Sequence, residues 1–373
     1  MNYSHYGRGY FPVPPFERNW PKKEITHAPI WCSVDLRDGN QALVAPMTAE
    51  EKLYFFSYLV KLGFKEIEVG FPAASDTEFS FIRTLIEENL IPDDVTIQVL
   101  SQIRPHILKK TFEAIDGAKN AIVHIYNSTS RVQRKAVFNF TPEETVALAE
   151  KGATMCLEMA KTVHVENLTF EYSPESFSAT EPEIALRTVN AVIDVFSPSK
   201  EHKLIINLPE TVQLSTPNIY ADMVEYISEN MHNRENVILS IHTHNDRGCA
   251  VASSELGILA GAQRVEGTLF GNGERTGNAD IMVLALNLFS QGIDPKLELS
   301  DMAHLIKTYE DSTKMPVPPR HPYAGELVYT AFSGSHQDAI KKSLEYSKAK
   351  NLKVWQNPYL PIDPEDIGRD YEP

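Results

Sequence analysis

The sequence has no excess of positive charge and no long hydrophobic run. Its 373 residues include 35 Lys and Arg against 50 Asp and Glu, which gives a formal net charge of −15. Because nucleic-acid phosphates are bound by basic surfaces, this balance argues against a nucleic-acid partner. It still allows a small anionic ligand, held by a few local arginines and backbone N–H groups.

The apolar runs are no longer than a strand or a globular helix, so we expect no membrane span and no membrane partner. The first residues, Met1 to Tyr6, lack the basic and apolar regions of a secretory signal. The three cysteines, Cys32, Cys156 and Cys249, are widely spaced and odd in number, as is typical of a reducing compartment. We therefore expect a cytoplasmic protein, and the 42% hydrophobic content is that of a globular one.

Short apolar runs alternate with amphipathic stretches from residue 30 to residue 298. The runs predict strands over Ile30–Leu36, Glu66–Phe71, Val95–Ser101, Ala121–Tyr126, Leu168–Tyr172, Leu204–Leu208, Val237–His242 and Arg264–Phe270. The amphipathic stretches predict helices over Thr48–Leu62, Asp76–Asn89, Pro105–Ile115, Pro142–Val163, Glu181–Phe196, Thr216–Glu229, Ala250–Gly261 and Asn278–Gln291.

Eight strand–helix repeats are typical of a (β/α)8 TIM barrel, which is the α/β fold that we predict for residues 30–298. A doubly wound open sheet is the competing architecture. It is disfavoured because no Gly-x-Gly-x-x-Gly motif follows the first strand, which also argues against a dinucleotide-dependent oxidoreductase.

The two ends of the chain differ from the repeats. Residues 1–29 are rich in Pro, Tyr and Trp, and we expect an arm lying across a surface. Residues 299–373 predict a linker and a small, mainly helical subdomain, with helices over Asp301–Thr313 and from about Ala331 to Lys350. A segment of this size is too small to be stable alone, so it should pack on a barrel, its own or a partner's.

The most informative motif is a His-x-His pair after the apolar run that begins at Ile238. Alternation along a strand places His242 and His244 on the same face, at the end where a barrel carries its functional groups. Two imidazoles converging there suit a divalent cation. A pair of hydrogen-bonded core histidines is the alternative.

Polar residues at other strand ends extend this site. Asp38 follows the first strand and could complete a three-ligand set, while Arg37 beside it suits a substrate carboxylate or a developing oxyanion. An ordinary surface turn is the alternative for this pair. The glycine-rich segment 271–277 allows close backbone approach to a ligand, and Asn278 after it could be a helix N-cap, a fourth ligand, or both.

Two further strand ends carry ionisable groups. His124 could donate to a bound carbonyl group, and Glu175 could orient a substrate. A buried histidine whose hydrogen bonds are satisfied within the fold is the alternative for His124.

Five segments of the chain form a specific set of motifs: LRDGNQAL (Leu36–Leu43), EYSPESFSATEPE (Glu171–Glu183), HTHNDRG (His242–Gly248), GNGERTGN (Gly271–Asn278) and FSGSHQDAI (Phe332–Ile340). Taken together, they resemble the 2-isopropylmalate synthases, whose relatives include homocitrate and citramalate synthases and lyases that share the metal-binding barrel. The resemblance extends from Trp20 to Pro373, and the forms WCSVDLRDGNQAL and YLPIDPEDIGRDYE are similar to the longer-chain branch.

The resemblance implies roles for the residues of this chain. Zinc, manganese or magnesium would be held by Asp38, His242, His244 and Asn278. The 2-oxo acid would be held by Arg37, His124, Glu175 and Thr211, and acetyl-CoA would lie near Gly271, Asn272 and Gly273. Arg37 and Glu175 would also be catalytic, together with His336 and Tyr371, which would reach the active site of the partner in a homodimer. A monovalent cation such as K⁺ would be an activator.

The implied reaction is a metal-dependent Claisen-type condensation of acetyl-CoA with 3-methyl-2-oxobutanoate. Hydrolysis of the thioester then gives 2-isopropylmalate and CoA, the first committed step of leucine biosynthesis. One alternative is the same reaction on another 2-oxo acid, as in citramalate or homocitrate synthases. Another is a non-catalytic binding paralogue, which is disfavoured because Arg37, Asp38, His242 and His244 are all present.

The longer-chain branch carries a further C-terminal domain that binds leucine and mediates feedback inhibition. The sequence ends at Pro373 without it, as expected of an excised catalytic region or of a naturally short version. For this chain we therefore expect no inhibition by leucine.

Overall fold

The structure, a computed structural model, describes residues 1–372 and is built around a closed barrel of eight parallel strands. The strands are β1 (Ile30–Ser33), β2 (Glu66–Gly70), β3 (Thr96–Gln102), β4 (Asn120–Ser128), β5 (Asn167–Glu175), β6 (Leu204–Glu210), β7 (Val237–Thr243) and β8 (Arg264–Gly267). Each strand pairs with the next along the chain, and β8 pairs with β1 to close the barrel. The predicted (β/α)8 fold is confirmed.

Helices follow the strands and cover the outside of the barrel. They are α1 (Ala49–Leu62), α2 (Asp76–Glu87), α3 (Pro105–Ile115), the single turn α4 (Arg131–Gln133), α5 (Pro142–Ala160), α6 (Pro182–Phe196), α7 (Pro217–Asn230), α8 (Ala250–Leu259) and α9 (Ile281–Phe289). The predicted helix starts at Thr48 and Pro142 are confirmed to within one residue. The N-caps are Thr48 and Thr141, and each threonine accepts a hydrogen bond from the N3 backbone in a reciprocal capping box.

The first and last strands are shorter than predicted. β1 ends at Ser33 instead of Leu36, because residues Asp35–Gly39 form a π-helical turn. β8 ends at Gly267 instead of Phe270, since Leu269–Gly271 turns away in a 3₁₀ conformation. At both places the chain leaves the sheet early and carries its polar residues over the rim of the barrel.

The last barrel helix also begins later than predicted. The N-cap of α9 is Asp280, whose carboxylate accepts from the backbone N–H of Val283 at 3.1 Å. The N-cap alternative for Asn278 is therefore wrong. Asn278 instead forms an isolated antiparallel bridge with His244, which ties it to the end of β7.

The inside of the barrel is polar, whereas many TIM barrels fill this space with branched apolar side chains. Apolar side chains form the core between strands and helices instead. The buried polar residues of the interior come from seven strands: Glu68, Gln98, His124, Glu171, Asn207, Ser240, Arg264 and Glu266. These side chains pair with one another below the C-terminal rim.

The N-terminal arm lies against α7. Arg18 makes two hydrogen bonds of 2.7 Å to the carboxylate of Asp222, and the indole of Trp20 donates to the same carboxylate at 3.0 Å. The backbone N–H of Asn19 donates to Glu225 at 2.9 Å. These contacts hold residues 18–20 of the arm against the outside of the barrel.

Two further helices follow the barrel, α10 (Met302–Thr313) and α11 (Gly334–Lys350). The predicted helix over Asp301–Thr313 is confirmed, with Asp301 as its N-cap. α10 packs on α1, where the rings of Tyr58 and His304 lie 5.1 Å apart. α11 is largely exposed. Within residues 1–372, no helix combines the length and apolar character needed to cross a membrane.

Candidate active site

Three buried side chains that could bind a metal ion converge at the C-terminal rim of the barrel. Asp38 lies in the π-helical turn after β1, His242 near the end of β7, and His244 just beyond it. The Nε2 atoms of the histidines are 3.3 Å apart, and Asp38 Oδ2 lies 3.3 Å from His242 Nε2 and 3.8 Å from His244 Nε2. Ligands bound to one divalent cation at about 2.1 Å lie roughly 3 to 4 Å apart. The three atoms therefore fit a single cation.

Unpaired oxygen atoms support the same interpretation. Asp38 Oδ2 and Asn278 Oδ1 are buried, and neither has a hydrogen-bond partner within residues 1–372. Asn278 is held by its own Nδ2, which donates to the Asn272 carbonyl at 3.0 Å. Because buried oxygens without partners are costly, a cation at this position would compensate both of them.

The charges around Asp38 keep its carboxylate ionised. Burial alone would raise the pKa of Asp38, but Arg37, His242 and His244 outweigh burial and hold that pKa below its ordinary value. Burial lowers the pKa of His242, whereas the neighbouring carboxylates of Asp38 and Glu266 raise it to about 9. A cation that binds at Nε2 of His242 must therefore displace a proton.

A cavity of about 310 Å³ opens beside these ligands. Seven residues predicted from the sequence line it: Arg37, Asp38, His124, Glu175, Thr211, His242 and His244. Phe71, Leu100, Tyr126 and Pro209 add apolar surface. The cavity therefore combines candidate metal ligands, two arginines (Arg37 and Arg275) and an apolar wall.

Arg37 is fixed between two carboxylates. Its Nη1 donates to Asp38 Oδ1 at 2.9 Å, and its Nε donates to Glu68 in a very short contact. Burial lowers the pKa of Arg37, but Glu68 and Asp38 raise it above the ordinary value, so the guanidinium stays charged. Three of its five N–H donors remain for a ligand.

His124 is hydrogen-bonded at both ring nitrogens within the barrel. Nδ1 lies 2.9 Å from Glu68 Oε2, and Nε2 lies 2.7 Å from Ser173 Oγ. This matches the alternative in which the histidine is satisfied by the fold, although its ring also lines the cavity.

Glu175 and Thr211 lie on neighbouring strand ends. Glu175 accepts a very short hydrogen bond from Ser128, and Thr211 Oγ1 accepts from the backbone N–H of Ser176 at 2.9 Å. A second cavity of about 440 Å³, between the ends of β3 and β4 and the segment that follows β4, shares Glu175 and Tyr126 with the first. The two cavities therefore meet at these side chains.

The glycine-rich segment supports Asn278. Asn272 Nδ2 donates to the Gly39 carbonyl at 3.1 Å, and the Asn278 backbone N–H donates to Gly271 at 2.9 Å. Gly271, Asn272 and Gly273 are not among the residues that line the cavity within the described chain. Glu274 and Arg275 of the same segment do line it.

His336 and Tyr371 do not line the cavity. His336 is exposed in the first turn of α11 and stacks on Tyr359, with ring centroids 4.0 Å apart. Tyr371 is partly buried, and its hydroxyl has no hydrogen-bond partner within residues 1–372.

Several residues of the site were missed in the sequence analysis. Ser173 and Asn207 line the cavity, and Glu68 and Glu266 bind Arg37 and His242 from below. Each is a polar residue whose two neighbours in the strand are apolar residues, proline or glycine. That signal was available in the sequence, since such a residue must find a partner inside the fold.

Two protein families match different parts of the chain. Residues 28–308 match the HMGL-like family, and residues 326–373 match the family described as alpha-isopropylmalate synthase, post-catalytic domain-like. Among solved structures, an HMG-CoA lyase from Brucella melitensis has a TM-score of 0.59 at 16% identity and covers 78% of this chain and all of its own. An HMG-CoA lyase from Acinetobacter baumannii, described in complex with coenzyme A and 3-methylmalate, has a TM-score of 0.61 at 17% identity, over 80% of this chain and 95% of its own. These structures support the barrel fold.

Curated relatives are more similar in sequence. A protein from Helicobacter hepaticus named 2-isopropylmalate synthase is 61% identical over the whole chain, which spans 67% of that relative. A protein of the same name from Acetoanaerobium sticklandii is 60% identical over the whole chain, which spans 65% of it. The chain therefore spans about two thirds of the length of these relatives. It belongs to the HMGL-like family and, within that family, to the 2-isopropylmalate synthases.

Proposed function

We propose that the chain catalyses the condensation of acetyl-CoA with 3-methyl-2-oxobutanoate and the hydrolysis of the thioester, giving 2-isopropylmalate and CoA. The observation that carries this proposal is the triad of Asp38, His242 and His244 beside a cavity with Arg37 and an apolar wall. The names of the curated relatives support the same reaction.

The proposed metal site comprises Asp38, His242, His244 and Asn278. Carboxylate, imidazole and amide ligands suit zinc, manganese or magnesium. When bound, such an ion polarises the keto group of a 2-oxo acid and makes its carbon more electrophilic. A monovalent cation such as K⁺ is proposed as an activator.

Arg37 is proposed to bind the oxygen of the 2-oxo acid that gains negative charge. Its guanidinium is held in place before the substrate arrives, so it needs little reorganisation during the reaction. Glu175, Thr211 and His124 are proposed to hold the 2-oxo acid: Thr211 and His124 can donate hydrogen bonds to its oxygens, and Glu175 can orient it and accept a hydrogen bond from the water that later attacks. Nε2 of His124 is already hydrogen-bonded to the Ser173 hydroxyl. His124 would therefore contact the substrate either through that hydroxyl or by exchanging it for the substrate.

The apolar wall favours a branched aliphatic side chain. Phe71, Leu100, Tyr126 and Pro209 offer no charge that could pair with a second carboxylate, and Arg275, which also lines the cavity, is already paired with Asp246 at 2.8 Å. We therefore propose 3-methyl-2-oxobutanoate over 2-oxoglutarate.

The proton of the acetyl methyl group needs a base. We propose His336 of a second copy, assisted by the partner subunit's Tyr371, because His336 is exposed and lies outside its own cavity. In this scheme His336 takes the methyl proton while the methyl carbon bonds to the keto carbon. The electron pair of the C=O π bond moves to the oxygen, and the resulting alkoxide is then protonated by solvent, which also takes up the proton from His336. Water then attacks the thioester, and CoA leaves as the thiol. The active form is therefore proposed to be a cytoplasmic homodimer.

Acetyl-CoA is proposed to lie near the segment 271–273, with the second cavity as further space for its long chain. The coenzyme A in the described complex of the Acinetobacter baumannii lyase supports the ability of this fold to take such a ligand.

The test is CoA release from acetyl-CoA with 3-methyl-2-oxobutanoate, pyruvate, 2-oxobutanoate or 2-oxoglutarate, with and without a chelator. We expect release to be fastest with 3-methyl-2-oxobutanoate and to disappear with the chelator. A preference for another acid would retain the mechanism but contradict the proposed substrate. Absence of release with every acid from folded, metal-loaded protein would contradict the proposed activity and favour a binding role.

A further inference from the structure

We propose that Glu266 of β8 is a positioning residue for the metal site: it fixes the orientation and tautomer of His242 and thereby sets the affinity for the cation. The inference rests on the proposed role of His242 as a ligand. Glu266 itself does not line the cavity, so it acts through the histidine.

The contact between these two residues is direct and buried. Glu266 Oε2 lies 2.8 Å from His242 Nδ1, and the side chain of Glu266 is fully buried while that of His242 is 7% exposed. The other ring nitrogen, Nε2, faces Asp38 and His244 at 3.3 Å. The imidazole therefore lies between the carboxylate below it and the proposed cation site above it.

The surroundings of Glu266 require it to accept hydrogen bonds. Gln98 Nε2 and Arg264 Nη1 donate to its Oε1 at 2.9 and 3.0 Å, and Asn207 Nδ2 donates to Oε2 at 3.3 Å. With three donors already on the carboxylate, His242 Nδ1 is also placed as a donor. Its proton then sits on Nδ1, which leaves the lone pair on Nε2 for a cation.

Arg264 prevents this carboxylate from rotating. The arginine is fully buried and also donates to Ser240 Oγ at 2.9 Å and to Gln98 Oε1 at 2.6 Å, while its Nε pairs with Glu66 at 2.5 Å. A guanidinium held on several sides has a single orientation. Glu266 therefore presents Oε2 to His242 in a fixed position.

The test variant is Glu266→Gln. Its amide group must point either at His242 and Asn207 or at Gln98 and Arg264, and in both cases N–H groups face N–H groups. We expect the Kd for Zn²⁺ and for Mn²⁺, measured by competition with a chromogenic chelator, to rise about 10- to 100-fold.

A matched control is Glu171→Gln on β5. Glu171 is equally buried and lies 3.3 Å from Arg264 Nη1, but it is not in contact with Asp38, His242 or His244 through any hydrogen bond or ion pair of the described chain. We expect its metal Kd to stay within about threefold of the wild-type value. Circular dichroism and a thermal melt of the chelated proteins would show that both variants fold.

Glu266→Asp provides a second variant in case the amide prevents folding. This variant keeps the charge, but its side chain is one methylene group shorter and places the carboxylate farther from His242. We therefore expect a metal Kd between those of the wild type and of Glu266→Gln. An unchanged metal Kd in folded Glu266→Gln, or an equal loss in Glu171→Gln, would overturn the proposal. If the metal Kd depends on Glu266 in this way but the wild-type protein releases no CoA, the proposed function is contradicted and the role of Glu266 is not.

Discussion

The surroundings of Asp38 favour a cation nearby. It is buried, its carboxylate is kept ionised by Arg37 and the two histidines, and one of its oxygens has no hydrogen-bond partner in the described chain. Two imidazoles face that oxygen at 3.3 and 3.8 Å. At the scale of single residues, the site is therefore prepared for a positive ion and costs stability without one.

Removing one imidazole should abolish activity. His244→Ala deletes a ligand whose ring is largely buried, so we expect kcat/KM to fall at least about 100-fold even with excess metal. The matched control is His164→Ala, since the side chain of His164 is 96% exposed and far from the rim in sequence and structure. Steady-state assays and metal analysis of both variants check this expectation. Full activity in His244→Ala would exclude the histidine as a ligand.

Glu210 should make stability depend on pH. Burial raises the pKa of this carboxyl on β6 to about 8, from an ordinary value of 4.5. Between these values the folded protein holds a proton that the unfolded chain releases, so the free energy of unfolding falls as pH rises through this window. The slope from this group is at most about 1.4 kcal/mol per pH unit.

Glu210→Gln should flatten that dependence, because the amide is neutral at every pH. The Tm of the variant minus the Tm of the wild type should therefore increase steadily as the pH rises from 5 to 8.5. Glu183→Gln on α6 changes a solvent-exposed carboxylate and serves as the control. A constant difference in Tm across this range would contradict the assignment.

At the scale of elements, the sequence predicted the helices and strands where side-chain periodicity controls the structure. Thr48 and Thr141 marked helix starts because a side chain caps the backbone locally. The π-helical turn at Asp35–Gly39 was missed, since it depends on Asp35 accepting the backbone N–H of Leu269, a contact 234 residues away. The helix start at Asp280 was missed because Asn278 is held by His244 across the rim.

The glycine-rich segment should tolerate no side chain at Gly277. Its φ is +96°, and a Cβ there would collide with the Gly271 carbonyl, which also accepts from the Asn278 backbone. We expect Gly277→Ala to displace Asn278, to weaken metal binding and to lower CoA release about 10-fold or more. Titration with a chelator and a kinetic assay measure both effects.

Gly292→Ala is the control for that substitution. Gly292 also has a positive φ, +76°, but a Cβ there would meet no atom within 4 Å. The Gly292→Ala variant should have a free energy of unfolding about 1 kcal/mol lower than that of the wild type and an unchanged metal affinity. Equal metal affinities in the two variants would show that the segment does not support the site.

At the scale of the whole molecule, the rim residues were predictable and the barrel interior was not. Arg37, Asp38, His242 and His244 could be brought together from sequence alone, because the ends of parallel strands meet on one side of a closed barrel. The partners below them, such as Glu68 and Glu266, depend on which residues share a layer inside the barrel. That layer follows from the register between strands, which periodicity does not reveal.

The proposed homodimer predicts complementation between two inactive variants. Asp38→Asn loses the metal ligand and His336→Ala loses the base, so each alone should be at least about 100-fold less active. In a mixed dimer, one site combines an intact Asp38 with an intact His336 from the other chain. After co-expression we expect up to about one quarter of wild-type activity. If His336 acted within its own chain, the mixture would stay inactive.

The central claim is that one metal-dependent site joins acetyl-CoA to 3-methyl-2-oxobutanoate. The most direct test strips the protein with a chelator, restores Zn²⁺, Mn²⁺ or Mg²⁺ in turn, and follows isotope-labelled acetyl-CoA by mass spectrometry. We predict labelled 2-isopropylmalate and CoA in equal amounts from the metal-loaded wild type, and neither product from the stripped protein or from Asp38→Asn. CoA release without labelled 2-isopropylmalate, or product formation that persists after the metal is removed, would contradict this account.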